Sequence, residues 1–449
     1  MKPETLARYG ARAVPRYTSY PTAPSFSPEV GEGDYRGWLG AVAAGTGLSL
    51  YLHVPFCRAM CWYCGCNTTV SAREAPVTRY LDSLHHEVDL VTAALSARMP
   101  LCHLHFGGGT PTLMRGDEMI ALMAHLRERF DFLPDAELAI EIDPRTLTAE
   151  MVDALAQSGI NRASLGVQSF DPQVQQAINR VQSFDTTARA VGDLRAAGID
   201  SISLDLIYGL PHQSVASCRD TVEQALRLAP DRLSVFGYAH VPHFKLHQRK
   251  IDPAALPDTG ERLAQSQAIA DALTGAGYVQ IGLDHFARPD DAMARAAATG
   301  TLHRNFQGYT TDGAPVLIGL GSSAIGRLPG GYVQNAVRIS DYQKAIAEDR
   351  LPVARGYAMS QDDRLRGAII ERLMCDHRVD IATSCAAFDA DPGRLLATLD
   401  LEALVEDGLI ERDGTAIAVR DEARPLVRFV AAAFDAYLAD SGARHVAAV

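Results

Sequence analysis

Ser49-Leu-Tyr-Leu-His-Val-Pro-Phe-Cys57-Arg-Ala-Met-Cys61-Trp-Tyr-Cys64-Gly-Cys66 runs from a short apolar, β-rich segment straight into a loop with four cysteines in ten residues. The segment Ser49–Val54 reads as a buried strand, and the loop at its carboxyl end carries the chemistry. The same unit recurs along the chain. Apolar runs at Cys102–Phe106, Leu138–Ile142, Ala163–Val167, Ile202–Ile207 and Leu233–Tyr238 each follow a helical pattern. The helices are expected at Val77–Ala97, Gly116–Phe130, Ala149–Ser158, Thr186–Ala197 and Ser217–Leu228. Strands alternating with helices imply right-handed crossovers and a parallel sheet. The expected fold class is therefore α/β, a partial (β/α)6 TIM-like barrel.

The unusual residues sit where each run ends, as HVPFC, HFGGGTPT, EIDP, GVQSF, DLIYGLP and YAHVP in order. In parallel β/α architectures the site is built at the carboxyl ends of the strands. Six such turns on one rim describe one site.

At 449 residues the chain exceeds a single ordinary domain. We divide it into an N-terminal arm (1–45), the barrel (46–285), site-covering loops and a connection (286–359), and a small C-terminal unit (360–449). Within the third part, Tyr278–His285 precedes it as a further strand, and the Gly- and aromatic-rich stretch Leu302–Ile325 reads as loops. Ser360–Asp363 is a capping box opening a helix over Leu365–Cys375. Another helix is expected at Leu395–Glu406, a hairpin at Leu409–Val419 around Asp413-Gly414, and a last helix at Arg424–Leu438, a winged-helix-like α+β unit.

The formal net charge of −12 disfavours nucleic acid and acidic membrane surfaces. Ten arginines and no lysine against seventeen acidic residues leave 361–449 at about −7, so DNA binding by this unit is not expected. Gly37–Cys57 lacks Asp, Glu, Lys and Arg but carries four glycines and Pro55, too little hydrophobicity for a membrane span. Met1–Val14 lacks the apolar core of a secretory signal. Cytoplasmic location is the expectation.

Eight cysteines in a chain this long are not a disulfide framework. Cys57, Cys61 and Cys64, spaced C-x3-C-x2-C, suit three corners of an iron–sulfur cubane, leaving one iron open. Zinc is the rival, but zinc sites pair C-x2-C knuckles distant in sequence, and Cys102, Cys218, Cys375 and Cys385 are scattered singly. Cys66 is placed awkwardly for a separate corner; a redox role and a structural one both stand. Gly107–Thr110 offers backbone groups to a ligand. Glu141 can accept hydrogen bonds from a ribose or an amine, or cap a helix. Gln168, Arg180 and Asp205 add polar ends to the same rim. Arg8, Arg12 and Arg16, four apart, would stack on one helix face as contacts for an anionic substrate, or form a solvated face. Lys245, Arg249, His303 and Arg304 are further basic candidates. His53 reads as a core or supporting histidine and Trp62 as packing.

C-x3-C-x2-C after the first barrel strand, with Tyr63 before the last ligand, resembles the radical S-adenosylmethionine superfamily. Further motifs narrow the likeness: Arg16-Tyr-Thr-Ser-Tyr-Pro-Thr-Ala23, the Cys64-Gly-Cys66-Asn67 run, GGGTPT, Ile178-Asn-Arg180, DLIYGLP, and His303-Arg-Asn-Phe-Gln-Gly-Tyr-Thr-Thr311. Together they resemble the family of oxygen-independent coproporphyrinogen III oxidases over nearly the whole chain. That resemblance implies one [4Fe-4S] cluster on Cys57, Cys61 and Cys64, and two molecules of S-adenosylmethionine. Tyr51, Gly108, Glu141 and Ile325 would contact the cluster-bound one. Tyr63, Gly109, Thr110, Gln168, Arg180, Asp205 and Ala239 would contact the second. Cys66 is the candidate catalytic residue beyond the ligands, and Arg12, Arg16, Phe306 and Gln307 the candidate substrate contacts. The implied reaction converts the ring A and B propionates of coproporphyrinogen III to vinyl groups, through hydrogen abstraction at the β-carbon and loss of carbon dioxide. It needs an unidentified reductant and an electron acceptor; a monomer is the default. The nearest rival is a haem chaperone of the same superfamily, whose relatives lack the second cysteine of the C-x-C pair and the RYTSYPTA-type arm; a tetrapyrrole ring-opening methyltransferase is a third reading.

Overall fold

The structure, a computed structural model, describes residues 8–9 and 14–438. Six strands lie side by side and parallel: β1 (Leu48–Val54), β2 (Pro100–Gly108), β3 (Asp131–Ile142), β4 (Arg162–Gln168), β5 (Ser201–Tyr208) and β6 (Arg232–Gly237). In β1 both faces are covered, with Leu48, Leu50, Leu52 and Val54 on one side and Ser49 and His53 on the other all buried. That is why the run reads as near-continuous apolar rather than alternating. After α1 (Glu32–Gly40), helices fill the crossovers: α2 (Ala75–Ala94), α3 (Gly116–Arg129), α4 (Ala149–Gln157), α5 (Phe184–Ala196) and α6 (Val215–Arg227). Helix α2 shows the reason they dock. Val77, Tyr80, Leu81, Leu84, Val88 and Val91 recur at helical spacing and are buried against the sheet. Each fully buried leucine in this stripe contributes about 1.5–3 kcal/mol.

The sheet runs beyond these six strands. It gains β7 (Val279–Ile281), β8 (His285–Ala287), β9 (Val316–Leu320), β10 (Ile325–Leu328), β11 (Gly331–Asn335) and β12 (Val353–Ala358). The twelve strands follow the order β12-β11-β10-β9-β1-β2-β3-β4-β5-β6-β8-β7. The barrel is thus partial. Here the sequence reading needs correction at two places. Tyr278–His285 is not one strand but contributes to an antiparallel pair, β7 and β8. The stretch 302–325 is not all loop, because β9 pairs parallel with β1, placing Gly319 opposite Tyr51. Its glycines hid the strand: a Cβ on Gly319 would meet the Ile325 backbone at 2.7 Å, so glycine is what lets β10 fold back on β9.

A second apolar cluster joins the two ends of the chain. Tyr9, Val14, Tyr17 and Tyr20 of the arm pack with Leu365, Ile369 and Leu373 of α8 (Gln361–Asp376) and with Val427, Val430 and Phe434. The capping box forms: Ser360 Oγ accepts from Asp363 N at 3.1 Å, and Asp363 Oδ2 accepts from Ser360 N at 2.8 Å. The hairpin forms too, pairing Ile410–Asp413 with Ala416–Val419. Two helices differ from expectation. Leu395–Glu406 is broken into Pro392–Leu396 and Glu402–Glu406, and the last helix is confined to Val427–Ala432, preceded by a 3-10 turn carrying Pro425. Proline removes a backbone donor and restricts the residue before it.

Candidate active site

The cysteine loop hangs from β1 and is tied down at several points. Phe56–Cys57 pairs with Thr69–Val70, closing the loop on itself. From the Ile178–Arg180 turn, Ile178 O accepts from Trp62 N at 2.9 Å and Asn179 Nδ2 donates to Met60 O at 2.8 Å. A 3-10 turn over Leu246–Lys250 holds the other side. His247 Nε2 donates to Cys64 O at 2.7 Å, Gln248 Nε2 to Tyr63 O at 2.9 Å and Ala239 O at 3.2 Å, and Lys245 Nζ to Cys66 O at 2.9 Å. Lys245 therefore braces the loop rather than standing free, while Arg249 reaches Pro242 O at 3.3 Å. His247 and Gln248 escaped the sequence reading, since nothing local ties them to cysteines 180 residues away.

Each ligand sulfur faces donors. Thr68 and Thr110 hydroxyls approach Cys57 Sγ at 3.2 and 3.6 Å. Arg145 Nη2 and Arg180 Nη1 both approach Cys61 Sγ at 3.6 Å, and Cys66 N approaches Cys64 Sγ at 3.4 Å. Burial pushes the Cys57 thiol up, against the pull of the two threonines. A hydrogen bond between the Cys64 and Cys66 thiols brings Cys64 down to about 7 and drives Cys66 well above the usual range.

Behind the loop, the glycines of 107–109 are demanded by space. Gly108 has φ +114°, and a Cβ there would meet the His53 ring at 2.7 Å; at Gly109 it would meet Phe56 O at 2.5 Å. His53 is a supporting residue. Its Nε2 donates to Asn67 O at 2.8 Å, so Nδ1 accepts from Tyr51 OH at 3.0 Å, and burial lowers its pKa. Glu141 Oε2 accepts from Gly108 N at 3.2 Å and Oε1 faces His105 Nε2 at 3.3 Å.

Arg180 sits beside Cys61 and Asp143. Its Nη2 donates to Gly166 O at 2.7 Å, and its Nη1 lies 3.4 Å from Asp143, which also takes Arg145 at 2.6 Å. Burial alone would raise the Asp143 carboxyl, but the Arg145 bond and the charges of Arg180 and Arg145 outweigh it and hold it low. Gln168 ends β4 with φ +69°, a left-handed conformation costly for a side-chain residue. Asp205 accepts from Ser164 Oγ at 3.1 Å; burial and the Glu141 charge lift it to about 6. Tyr51, Glu141, Asp205 and Gln307 line one cavity of about 200 Å³ inside the barrel. Ile325 is brought next to β9 by the fold described above. Phe306 lines a neighbouring cavity of about 420 Å³ and meets Tyr332 edge-on.

The basic arm is not a helical stack. Arg12 lies outside the described residues. Arg8 pairs with Asp407 at 2.9 Å, and Arg16 lies in non-helical backbone beside Pro15, its Nη2 reaching Gly237 O at 3.4 Å. His303 faces Glu371 at 3.2 Å, and Arg304 lies over the Tyr309 ring at 4.4 Å.

Residues 51–225 match the Radical SAM superfamily and residues 359–426 the HemN C-terminal domain. The oxygen-independent coproporphyrinogen III oxidase of Bradyrhizobium diazoefficiens is 56% identical over 450 residues, covering 100% of both chains. The chain belongs to the oxygen-independent coproporphyrinogen III oxidase family. The member from Escherichia coli K12 is 42% identical over 94% of this chain and 93% of that one. The solved structure described as "Coproporphyrinogen III oxidase (HemN) from Escherichia coli is a Radical SAM enzyme" superposes with a TM-score of 0.90 and 39% identity, over 95% of this chain and 100% of that one. A radical-SAM coproporphyrinogen oxidase carries a [4Fe-4S] cluster and S-adenosylmethionine, and the residues present suit them. Three thiols on one braced loop each meet hydrogen-bond donors suited to anionic sulfur, and Arg180 Nε is buried without a partner beside them. Arg145, absent from the sequence reading, belongs to this oxidase site through its contact with Cys61.

Proposed function

We propose that this chain is the oxidase that converts the ring A and B propionates of coproporphyrinogen III to vinyl groups, giving protoporphyrinogen IX in anaerobic haem synthesis. The observation that carries the reading is the braced three-cysteine loop set over the glycine cradle and Glu141, in a chain alike from end to end to named oxidases. When bound, the cluster and S-adenosylmethionine supply a reductively generated carbon radical able to abstract hydrogen.

The chain's own residues do the rest. Cys57, Cys61 and Cys64 hold iron, with Thr68, Thr110, Arg145 and Arg180 stabilising thiolate charge. Gly108, Tyr51, Glu141 and Ile325 receive the first S-adenosylmethionine, Glu141 and backbone groups orienting its amine and hydroxyls. Tyr63, Gly109, Thr110, Gln168, Arg180, Asp205 and Ala239 surround the second. Cys66, exposed beside the ligands, is the candidate for hydrogen or electron transfer. Phe306 and Gln307 close the barrel mouth over substrate and, with Arg16, exclude water from the reacting carbon. The electron donor and acceptor are separate partners, the protein acts as a monomer, and its place is the cytoplasm. Among the described residues no helix is long and apolar enough to cross a membrane.

The test is an anaerobic assay with coproporphyrinogen III, S-adenosylmethionine and a reductant. Protoporphyrinogen IX is the expected product. Stoichiometric haem binding without turnover would instead establish the chaperone reading.

A further inference from the structure

Outside the cysteine rim, a cavity of about 310 Å³ opens beside the ends of β5 and β6, α7 (Thr259–Gly275) and the C-terminal unit. Five arginines line it, contributed by the arm, α7, the 303–311 stretch and the C-terminal unit, against three acidic residues. One pair is local: Arg424 meets Asp421 at 2.7 Å. Of the other acids, Asp284 takes His285 Nδ1 at 2.8 Å. The remaining guanidiniums turn largely to backbone. Arg16 reaches Gly237 O at 3.4 Å, Arg262 reaches Tyr238 O at 2.9 Å, and Arg304 reaches Tyr17 O and Arg16 O, each at 3.3 Å.

A carbonyl satisfies an N–H but leaves the cation's charge uncancelled. Like charges gathered in a partly buried space are costly unless an anion joins them. The strain registers at Arg428, where burial, then the charge of Arg16 and that of Arg304, bring the guanidinium down to about 10. Burial and Arg16 lower Arg262 in the same way. Four distant parts of the chain supply these side chains, so no local folding need explains their meeting.

The cavity also adjoins the reaction site. Phe236 lines both it and the barrel interior that holds Glu141 and Asp205, and Asn305 and Gln307 line that interior one and three residues from Arg304. We propose that Arg16, Arg262, Arg304 and Arg428 form a carboxylate pocket for the two propionates the reaction leaves intact, holding the tetrapyrrole so that the other two face the cysteine rim. Guanidinium forks match carboxylates in geometry as well as charge. The pocket rests on the oxidase reading above and assigns its substrate-orienting residues.

The experiment titrates the full-length, cluster-loaded protein under anaerobic conditions with coproporphyrin III, a stable tetracarboxylate, and with its tetramethyl ester, following porphyrin fluorescence. The native protein is expected to bind the tetra-acid, weakening as salt rises, and to bind the ester far less well. Arg262→Gln and Arg428→Gln should each weaken tetra-acid binding roughly tenfold or more. Iron content and substrate-free reductive cleavage of S-adenosylmethionine should stay at native levels in both. Equal affinity of native and variant proteins, or equal affinity for acid and ester, overturns the pocket. If Arg428→Gln loses its iron or unfolds, Arg262→Gln decides alone. Turnover separates the two ideas: native turnover with unaffected variants leaves the oxidase reading and removes the pocket. Carboxylate-dependent binding with no turnover by the native protein does the reverse.

Discussion

Arg145 and Arg180 beside Cys61, and Arg16, Arg262, Arg304 and Arg428 around the outer cavity, are two arginine groups held in opposite ways. The first group has its counter-charge in place, since Asp143 takes Arg145 at 2.6 Å and lies 3.4 Å from Arg180. The second group takes mostly carbonyl oxygens, and its charges press on one another. An arginine with a fixed carboxylate is committed to structure: here it keeps donors aimed at a sulfur. An arginine held by carbonyls is kept in position with its charge still available. The contrast teaches that the counter-ion, rather than the arginine, tells a brace from a binding site.

The largest effect should come from removing the counter-charge of the first group. Asp143→Ala leaves two guanidiniums partly buried without their carboxylate, and is expected to cost about 3–5 kcal/mol of stability, with less iron retained per chain. Thermal unfolding of the cluster-free protein and iron analysis after reconstitution measure the two losses separately. Unchanged stability would mean that water, not Asp143, neutralises this pair, and the comparison would collapse.

Glu87 sharpens the contrast from the carboxylate side. It lies buried on α2 and accepts from Gly321 N at 2.6 Å, Asn335 Nδ2 at 2.6 Å and Tyr342 OH at 2.8 Å, all neutral donors. Burial outweighs these bonds and lifts it from 4.5 to about 7. The folded protein therefore binds more protons than the unfolded chain between those values, and stability falls as pH rises through that window. The loss attributable to Glu87 is at most about 3 kcal/mol. Stability curves of native and Glu87→Gln protein between these pH values should diverge in slope, the variant being the flatter. Parallel curves would show that Glu87 stays ionised in the fold, as Asp143 does.

The smallest effect belongs to the second group. Arg16 is exposed and bonded to a carbonyl, so Arg16→Gln should change stability by no more than about 0.5 kcal/mol while raising the KM for coproporphyrinogen III. A large fall in melting temperature with KM unaltered would place Arg16 among the braces.

Much of this was legible from the chain itself. Apolar runs buried on both faces, followed by helical stripes, specified β1 to β6, and the six rim motifs marked their carboxyl ends. Strand β9 was not legible, because Gly319 and Gly321 break the apolar run for reasons of close packing that lie on other elements. The last helix was overextended because its apolar periodicity continues past the point where the backbone leaves the helix.

By itself, the sequence determined the parallel α/β fold class, the C-x3-C-x2-C ligand set and the glycine cradle, since these follow from periodicity and from residue types a few positions apart. Tertiary structure alone decided that His247 and Gln248 brace the cysteine loop, that Arg145 joins Arg180 at Cys61, and that arginines 16, 262, 304 and 428 share one cavity. Those are contacts between residues tens to hundreds of positions apart. No local pattern encodes them, because the chain brings such groups together only when burial of its apolar faces has already set the elements side by side.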